Sequence, residues 1–397
     1  MDFAARLAAV KAAHLYRTPY LMESAQGREV VMDGRRVLLF CSNSYLGLNN
    51  RPEILRAAIR AVDAYGVGAG GSRLVSGNMR PHVRLENLLA RFKGSEAALL
   101  CNSGYTANVG VISALCGAES HIFSDALNHA SIIDGCRLAR ARTVVYAHNA
   151  PADLEAKIVR ERPRQGLIVT DAVFSMDGDV ARLPELARIS RRYGLPLMVD
   201  DAHATGVLGA TGRGSLEHFG LSHQDVAIVM TTLSKAVPSE GGVICGSRDM
   251  CDLVRNTARP FIFTTALSPA TAAAAHAGVA YIMAHPELVR RLFEREVPEL
   301  VSGAVSIMAI AREAGARTKI AVRANTEGVN PKGALIGPGG ARVRAVMENL
   351  GPEKIDIVDW SADPAKFVAA ALSPAVATGV QVISEKNNTA IAFIHDD

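Results

Sequence analysis

Seven short apolar runs alternate with helix-length amphipathic segments between about residues 95 and 245. In chain order the runs are AALLC, HIFSD, TVVYAH, GLIVTDAVF, LPLMVDDAH, VAIVMTTL and GGVICGS. Strands that are apolar on both faces and separated by helices predict an α/β fold, with a mainly parallel sheet covered by helices on both faces. In such a fold we expect the functional site beside the carboxyl ends of the strands.

Polar residues follow three successive runs at the positions where the strands should end. They are Ser175, Asp177 and Gly178 after the first, Asp200, Asp201 and His203 after the second, and Thr232 and Lys235 after the third. Turns favour Asp, Ser and Gly, so one such case would carry no information. Three cases together, with a lysine and an aspartate among them, predict a site at this edge.

The length of the chain predicts more than one structural unit. Its 397 residues exceed the roughly 250 to 300 residues at which a single core usually stops growing. The character of the sequence changes near residues 283 to 286. About a hundred residues of compact β/α alternation follow, which is enough for a small α+β domain.

Composition and cysteine spacing exclude several classes of protein. The net charge of +4 indicates no polyanionic partner by itself, and the six cysteines form no C-x-x-C pair and lie near no histidine cluster at zinc spacing. We expect a reduced, cytoplasmic protein without a metal site. Asp2 and the lack of an apolar core indicate that the N-terminal segment is a docking helix rather than a targeting peptide. Pro269 and His276 favour a buried helix over a membrane span in the most apolar window.

Lys235 and Asp200 are the strongest candidates for chemistry. Burial lowers the pKa of a lysine amine toward neutrality, where the free amine can attack a carbonyl, so Lys235 is a candidate Schiff-base lysine. The alternative is a surface lysine in a turn. A buried Asp200 would need a cationic partner, and the protonated ring nitrogen of a pyridine cofactor is one. The alternative is a helix N-cap, a role that Asp201 could also fill.

Two histidines and one turn add to this candidate site. His203 would face the same space as Asp200 and could donate to a phenolic oxygen of the cofactor, unless it is an ordinary interior histidine. His129 follows the run HIFSD, and its planar ring could stack on a planar cofactor. The segment CNSGYTAN, residues 101–108, predicts a phosphate site at a helix N-terminus or an ordinary turn. The glycine cluster at residues 65–78 lacks the dinucleotide-binding arrangement.

In this order the motifs resemble the α-oxoamine synthases, a family of pyridoxal-phosphate-dependent enzymes of fold type I. The matching pieces are CSNSYLGL, GVGAGGSRLVSGN, HVRLENLLARF, ALLCNSGYTAN, SDALNHASIIDGCRL, VFSMDGD, VDDAHATGVLGATGRG, TLSKAV and FIFTTALSP, and they span about residues 15 to 283. The resemblance implies a large domain built on a mainly parallel seven-stranded sheet with helices on both faces.

The resemblance also implies a role for each matching residue. Lys235 would hold pyridoxal 5'-phosphate, then remove and return the Cα proton of the substrate. Asp200 would pair with the pyridine nitrogen, His203 with the phenolic oxygen, and His129 would stack on the ring. The remaining positions are Gly104, Tyr105, Ser175 and Thr232 for the cofactor, Thr265 for the phosphate across a homodimer interface, and Arg17 and Asn43 for the substrate.

Within the family the chain is most similar to the 8-amino-7-oxononanoate synthases of biotin biosynthesis, and next to the glycine C-acetyltransferases. The pieces GAGGSRLVSGN, NHASIIDGCRLARARTVVYAHN and DDAHATGVLG support this choice. The similarity implies a decarboxylative condensation of L-alanine with a pimeloyl thioester, carried by coenzyme A or by a carrier protein. The product would be 8-amino-7-oxononanoate.

The sequence departs from the family in two places. Pro238 stands where the family usually has glycine, and proline removes an N–H group from the turn after Lys235. After residue 285 we find no sign of the family's small domain, nor of the arginine in it that grips the substrate carboxylate. We therefore expect an N-terminal arm at 1–45, a cofactor-binding domain at 46–284 and a different domain at 285–397, in an enzyme whose activity is impaired.

The segment from 285 to 397 resembles the first KH-type RNA-binding domain of the transcription factor NusA and the start of the second. The G-x-x-G loop that approaches a nucleic-acid backbone would contain Gly337, Gly339 and Gly340. Arg342, Arg344 and Lys319 would be its phosphate partners. A simple glycine turn is the alternative for the loop alone. The chain therefore reads as a chimera, and its second functional hypothesis is an RNA-binding module on a catalytically silent scaffold.

Overall fold

The structure is a computed structural model. It describes residues 1–209, 211–284, 297–313, 317–350, 354–373, 377–384 and 389–394. The chain divides into two compact units, residues 1–42 and 43–397, and each is described by itself. The domain boundary predicted at residues 284 and 285 borders the undescribed residues 285–296, so it stays a prediction.

The first unit contains one helix and one hairpin. Helix α1, Phe3–Ala12, begins after Asp2, whose carboxylate accepts the N–H of Ala5. Strands β1, Glu29–Met32, and β2, Arg35–Leu38, pair antiparallel around a two-residue turn in which both residues have positive φ. This is the turn that matches the twist of a hairpin. Within this unit α1 buries no side chain, so its docking role stays a prediction.

Each of the seven apolar runs forms one strand of a single sheet. The strands are β3 Ala97–Cys101, β4 His121–Asp125, β5 Arg142–Tyr146, β6 Gly166–Asp171, β7 Leu197–Asp200, β8 Ile228–Ser234 and β9 Pro238–Gly246. Their spatial order is β3-β9-β8-β7-β6-β4-β5. Only β9 runs antiparallel to its neighbours among these strands, which confirms the predicted mainly parallel sheet.

Helices cover both faces of this sheet. They are α2 Pro52–Tyr65, α3 Arg80–Lys93, α4 Gly104–Leu115, α5 Ala130–Ala139, α6 Pro151–Glu161, α7 Leu183–Tyr193, α8 Ser215–Phe219, α9 Arg248–Thr257, α10 Arg259–Ile262 and α11 Pro269–Ala284. Side chains alternate between faces along each strand. Leu100 and Val199 therefore join one buried cluster, while their neighbours Leu99 and Met198 join the other.

Helix α11 is the apolar window that we expected to be buried. Ala272, Ala275 and Val279 are completely buried. No helix in the described part of the chain is both long enough and apolar enough to cross a membrane. Gly278 lies against Pro238, and a Cβ placed on it would come within 2.5 Å of the proline Cδ. Glycine at 278 thus leaves the room that the proline ring needs at the start of β9, directly after the bend at residues 235–237.

The residues beyond 297 have a buried cluster of their own. The elements are α12 Pro298–Val301, β10 Val305–Glu313, β11 Arg317–Ala324, α13 Pro331–Ile336, α14 Ala341–Leu350, β12 Lys354–Asp359, α15 Pro364–Ala371, β13 Ala377–Ser384 and β14 Thr389–Ile394. Strand β11 pairs antiparallel with β10 and parallel with β12. Val305, Ile320, Leu335 and Val346 lie in the cluster beneath this sheet, which confirms the predicted α+β character.

Candidate active site

Two buried carboxylates stand side by side at the carboxyl edge of the sheet. Strands β6 and β7 are parallel, and their register pairs Asp171 with Asp200, the last residue of each strand. Both residues are at least 95% buried. Burial raises the pKa of each carboxyl, and the charge of Asp200 adds to the effect at Asp171. This edge therefore favours a cation as its partner.

The carboxylate of Asp200 is held in place by two hydrogen bonds. Its Oδ1 accepts the N–H of Ala202 at 3.0 Å, and its Oδ2 accepts a side-chain N–H of Asn108 at 2.8 Å. Residues 202–207 form turns, and the next helix, α8, begins at Ser215. The alternative in which Asp200 caps a helix is therefore wrong.

Lys235 lies just after β8, and its amine is 2.7 Å from Nε2 of His203. Burial lowers the pKa of Lys235, against the opposing influence of the Asp200 and Asp171 carboxylates. Burial, with the charge of Lys235 next in size, lowers the pKa of His203 to about 4. His203 is thus neutral at neutral pH, as its predicted role requires. The other nitrogen of its ring, Nδ1, lies 2.6 Å from the hydroxyl of Tyr45.

Asp201 belongs to a separate buried network. Its Oδ2 is 2.7 Å from Nζ of Lys93, and both side chains are at most 3% exposed. The same amine donates to Thr205 Oγ1 and to the carbonyl of Arg213. The other oxygen of Asp201 accepts the N–H of Ser215 at 3.0 Å. Asp201 therefore anchors the loop that follows β7, and the alternative in which it caps a helix directly after that strand is wrong.

His129 lies at the N-terminus of α5, at the same edge of the sheet. Its backbone N–H donates to Asp171 Oδ2 at 2.9 Å. Its Nδ1 lies 2.7 Å from Ser131 Oγ, and the ring as a whole is exposed. The charges of Lys235 and His129 act on the pKa of both Asp200 and His203. The structure therefore brings the four predicted catalytic residues together.

The predicted phosphate site lies where α4 begins. Ser103 caps the helix by accepting the N–H of Thr106, while the N–H groups of Gly104 and Tyr105 belong to the first turn, which has no intrahelical partners. A Cβ on Gly104 would lie 3.4 Å from the side chain of Thr232. The helix N-terminus and Thr232 thus meet in the structure. The hydroxyl of Tyr105 bonds Asp134 and so leaves only its backbone for an anion.

The surroundings of the remaining four predicted residues do not test their roles. Ser175 is exposed in the turn after β6, and Asn43 accepts the hydroxyl of Tyr45 at 3.3 Å. Thr265 is exposed, and its carbonyl accepts a side-chain N–H of Asn102 at 2.7 Å. Arg17 lies in the unit formed by residues 1–42. The roles given to these four residues stay predictions.

Three residues with side chains at the site, Asn108, Asp171 and Tyr45, were not singled out from the sequence. Lys93, in the separate network of Asp201, was not singled out either. Asp171 could have been found, because it ends the apolar run GLIVT just as Asp200 ends LPLMV. Asn108, Tyr45 and Lys93 meet their partners through contacts between residues distant in sequence.

The glycine loop of the C-terminal region has the expected shape but not all of the expected free cations. Gly337, Gly339 and Gly340 all have positive φ, which favours glycine. Arg342 donates to Glu299 and to the carbonyl of Ala334.

Lys319, the other expected phosphate partner, contacts Asp356 and the carbonyl of Ser373. Arg344 is exposed beside Gly340. Of the three predicted phosphate partners, Arg344 is therefore the one best placed for an anion.

Comparison with known proteins identifies the family. The family model for class I and II aminotransferases matches residues 35–297. The chain belongs to this family. A Geobacter sulfurreducens 8-amino-7-oxononanoate synthase is 52% identical over 279 residues, which are 70% of this chain and 71% of that protein. A Desulfovibrio desulfuricans protein, provisionally given the same name, is 70% identical over 291 residues, 73% of this chain and 76% of the relative.

Solved structures agree with this assignment. Sphingomonas wittichii serine palmitoyltransferase superposes with a TM-score of 0.67 at 32% identity, covering 78% of each chain. The 8-amino-7-oxononanoate synthase of Francisella tularensis gives a TM-score of 0.55 at 27% identity, covering 68% of this chain and 77% of that one. A second family model, the NusA-like first KH domain, matches residues 283–360.

The residues at the sheet edge fit pyridoxal phosphate, the cofactor of this family member. Buried Asp200 has hydrogen-bond donors but no cation in direct contact among the described residues, which suits a protonated pyridine nitrogen. Lys235 would supply the amine, and the start of α4 would supply N–H groups for the phosphate. Among the described residues, no group of three acidic, histidine or cysteine side chains could hold a metal ion.

The buried pair of Lys93 and Asp201 gives a stability prediction. Replacing Lys93 by Met leaves the carboxylate of Asp201 buried without its cation, which should lower the free energy of unfolding by about 3–5 kcal/mol. Lys157→Met removes the more exposed pair with Asp153 and should cost less than about 1 kcal/mol. Urea denaturation of both variants measures the difference. Equal losses in the two variants would contradict the role of Lys93.

Proposed function

We propose that the chain catalyses the decarboxylative condensation of L-alanine with a pimeloyl thioester to give 8-amino-7-oxononanoate. The observation that carries this proposal is the assembly of Lys235, His203 and Asp200 at one edge of the sheet. The names of the relatives supply the substrate class. The thioester carrier is coenzyme A or a carrier protein.

The cofactor, when bound, withdraws electrons from the Cα of the amino acid, and the protein supplies the charges and proton carriers around it. Asp200, buried and fixed by Asn108 and Ala202, would pair with the protonated ring nitrogen and keep the heterocycle cationic. Burial lowers the pKa of Lys235 and so favours its free amine, which would take the Cα proton and return it. Neutral His203 would supply a hydrogen bond at the edge of the ring.

The amino-acid substrate is the open part of this proposal. The alternative is a glycine C-acetyltransferase type of reaction on the same residues. Kinetics with alanine, glycine and serine distinguish the two, because the preferred amino acid has the highest kcat/KM. We expect a raised KM for any of them, because the chain after residue 285 lacks the family's carboxylate-binding arginine.

Lys235→Ala tests the enzyme assignment. The purified parent should be yellow with pyridoxal phosphate, and borohydride should fix the cofactor on Lys235, where peptide mapping can locate it. The variant should lose this label, and its turnover should fall to below about one thousandth of the parent value, because it lacks both the linkage and the proton carrier.

Lys157→Ala is the control for this experiment, since Lys157 pairs with Asp153 on α6 and lies outside the site. It should keep the colour, the label and the turnover. A colourless parent protein at saturating pyridoxal phosphate would contradict the proposal.

We also propose that the enzyme is a cytoplasmic homodimer in which Thr265 serves the partner's phosphate site. All six cysteines are free, which suits a reducing compartment. Thr265 pairs with Ser72 of the glycine-rich loop, and the segments that they join expose Val67, Val75 and Phe263 by at least 70%. In the proposed dimer these side chains would be covered by the partner subunit, where a contiguous apolar patch is typical of an interaction surface.

Light scattering tests the dimer. The parent should have about twice the chain mass of 42.0 kDa. Phe263→Asp should shift the mass toward a single chain, because it places a charge in the apolar contact. Val159→Asp alters another exposed apolar side chain, on α6, and should leave the mass unchanged. A parent of single-chain mass that retains turnover would overturn the dimer proposal.

RNA binding by the C-terminal region is the second candidate function. Its support is the positive-φ glycine loop between α13 and α14 with Arg344 beside it, in a segment that matches a KH-domain model. A KH loop of this kind clamps a nucleic-acid backbone. The paired state of Arg342 and Lys319 favours weak binding.

Gly339→Asp tests the RNA proposal. Titration of a single-stranded RNA oligonucleotide of mixed sequence should give an affinity that falls with salt. The variant should bind at least about tenfold more weakly, because its carboxylate repels the phosphates. Gly328→Asp is matched in backbone conformation and open surroundings, lies in another loop, and should bind like the parent. No binding by the parent at low salt would exclude this function.

A further inference from the structure

We propose that Asn108 and Ser131 are positioning residues that link the carboxylate of Asp200 to the ring of His129 and fix which ring nitrogen carries hydrogen. This inference rests on the proposed function, because it concerns the same cofactor site. It adds two residues for which the sequence predicted no role. Both side chains are completely buried, so water does not compete for their hydrogen bonds.

Three hydrogen bonds form a continuous chain. Asn108 Nδ2 lies 2.8 Å from Asp200 Oδ2 and 2.9 Å from Ser131 Oγ. Ser131 Oγ lies 2.7 Å from His129 Nδ1. This series of hydrogen bonds thus connects the end of β7 with α4 and with the first turn of α5. It connects the side chain proposed to face the ring nitrogen with the one proposed to stack on the ring.

The direction of each hydrogen bond follows from the chemistry at the Asp200 end. An ionised carboxylate only accepts, so the amide of Asn108 must turn its NH₂ group toward Asp200. The second hydrogen of that NH₂ group then points to Ser131 Oγ, which accepts it. Ser131 therefore directs its own hydroxyl hydrogen to Nδ1 of His129.

A second donor reaches the same ring nitrogen. The backbone N–H of Ser131 donates to His129 Nδ1 at 3.2 Å. A nitrogen that accepts from a backbone N–H carries no hydrogen itself. Two donors thus converge on Nδ1, and the single hydrogen of the imidazole must be on Nε2. His129 consequently presents an N–H donor, not a lone pair, at its other ring nitrogen.

The opposite orientation of the Asn108 amide is less favourable, although the assigned one leaves the amide oxygen unpaired. Its Oδ1 is buried and has no hydrogen-bond partner among the described residues. Leaving a buried acceptor unpaired destabilises a protein. Rotating the amide by 180° would place Oδ1 of Asn108 beside Ser131 Oγ and Asp200 Oδ2. The amide oxygen and the carboxylate oxygen, both negatively polarised, would then repel each other. The orientation that serves Asp200 and Ser131 is therefore the favoured one, despite the orphaned oxygen.

Nitrogen-15 NMR of the histidine rings tests the inference directly. In the parent protein without cofactor, we expect His129 to show an unprotonated Nδ1 and a protonated Nε2, and we expect the same after pyridoxal phosphate is added. Ser131→Ala removes one of the two donors, so the ratio of the two tautomers should fall about fivefold, the value of one hydrogen bond of ordinary strength. Asn108→Ala should change the ratio in the same direction.

Kinetics of the loaded enzyme give a second readout. Each single variant should lower kcat/KM about tenfold, and the double variant should lose no more than the worse single variant, because the three groups act as one chain. Ser113→Ala is the matched control. Its hydroxyl, also on α4, bonds only carbonyls of its own helix in the described structure, so the variant should keep the tautomer and the rate.

The spectrum of the parent protein alone shows which ring nitrogen of His129 carries hydrogen. The inference therefore remains testable even where a variant fails to fold. A protonated Nδ1 in the parent would overturn it, as would a Ser131→Ala protein with unchanged ring signals, or additive losses in the double variant. The spectrum without cofactor is independent of turnover. A protein with the expected tautomer but no activity would therefore count against the proposed function and not against this hydrogen-bond chain.

Discussion

The chemistry of the site depends on the parallel register of β6 and β7, which places the carboxylates of Asp171 and Asp200 side by side in the interior. Two adjacent buried carboxylates are unfavourable unless positive charge or hydrogen-bond donors surround them. Here the backbone N–H of His129 donates to Asp171, and the side-chain amide of Asn108 donates to Asp200. The remaining imbalance attracts a cation, and this is why a protonated heterocycle fits here.

A second buried charge pair keeps the polypeptide after β7 in place. Lys93 at the end of α3 donates to Asp201, Thr205 and the carbonyl of Arg213, so the turns from 202 to 207 are tied to α3 on both sides of His203. Asp200 and Asp201 are neighbours in sequence, but their carboxylates have different kinds of partner. The carboxylate of Asp201 has its cation inside the protein, whereas in the described part of the chain the direct partners of the Asp200 carboxylate are neutral donors. The difference separates a structural acid from one that can serve a ligand.

The sequence predicted the layers of this fold because each strand is a short run with both faces apolar, a pattern visible without any long-range information. It also predicted Lys235, Asp200 and His203, since polar residues at the ends of such runs must collect at one edge. It could not predict the partners of these residues. Lys93 and Asp201 are 108 positions apart and Asn108 and Asp200 are 92 apart, and periodicity shows which face a side chain occupies but not what it meets there. The two helix-cap alternatives were wrong for the same reason, because the long-range partners of Asp200 and Asp201 hold the chain in turns.

The seven-stranded sheet and the region from Val297 onward bury their apolar residues in separate clusters. This separation bears on how the C-terminal region would affect the proposed activity. Among the described residues, the two clusters on the faces of the seven-stranded sheet contain residues up to Ile282, while the cluster beneath β10, β11 and β12 contains residues from Val297 onward. In this described part of the chain, no residue of the C-terminal cluster belongs to either cluster of the sheet. The residues proposed to hold the cofactor and move protons all precede Ile282, so their placement depends on the seven-stranded sheet and the clusters on its two faces. In the proposed reaction, the different C-terminal region would leave the substrate carboxylate without the arginine expected from the resemblance, and the loss of such uniform binding would raise KM more than it would lower the rate of the chemical step.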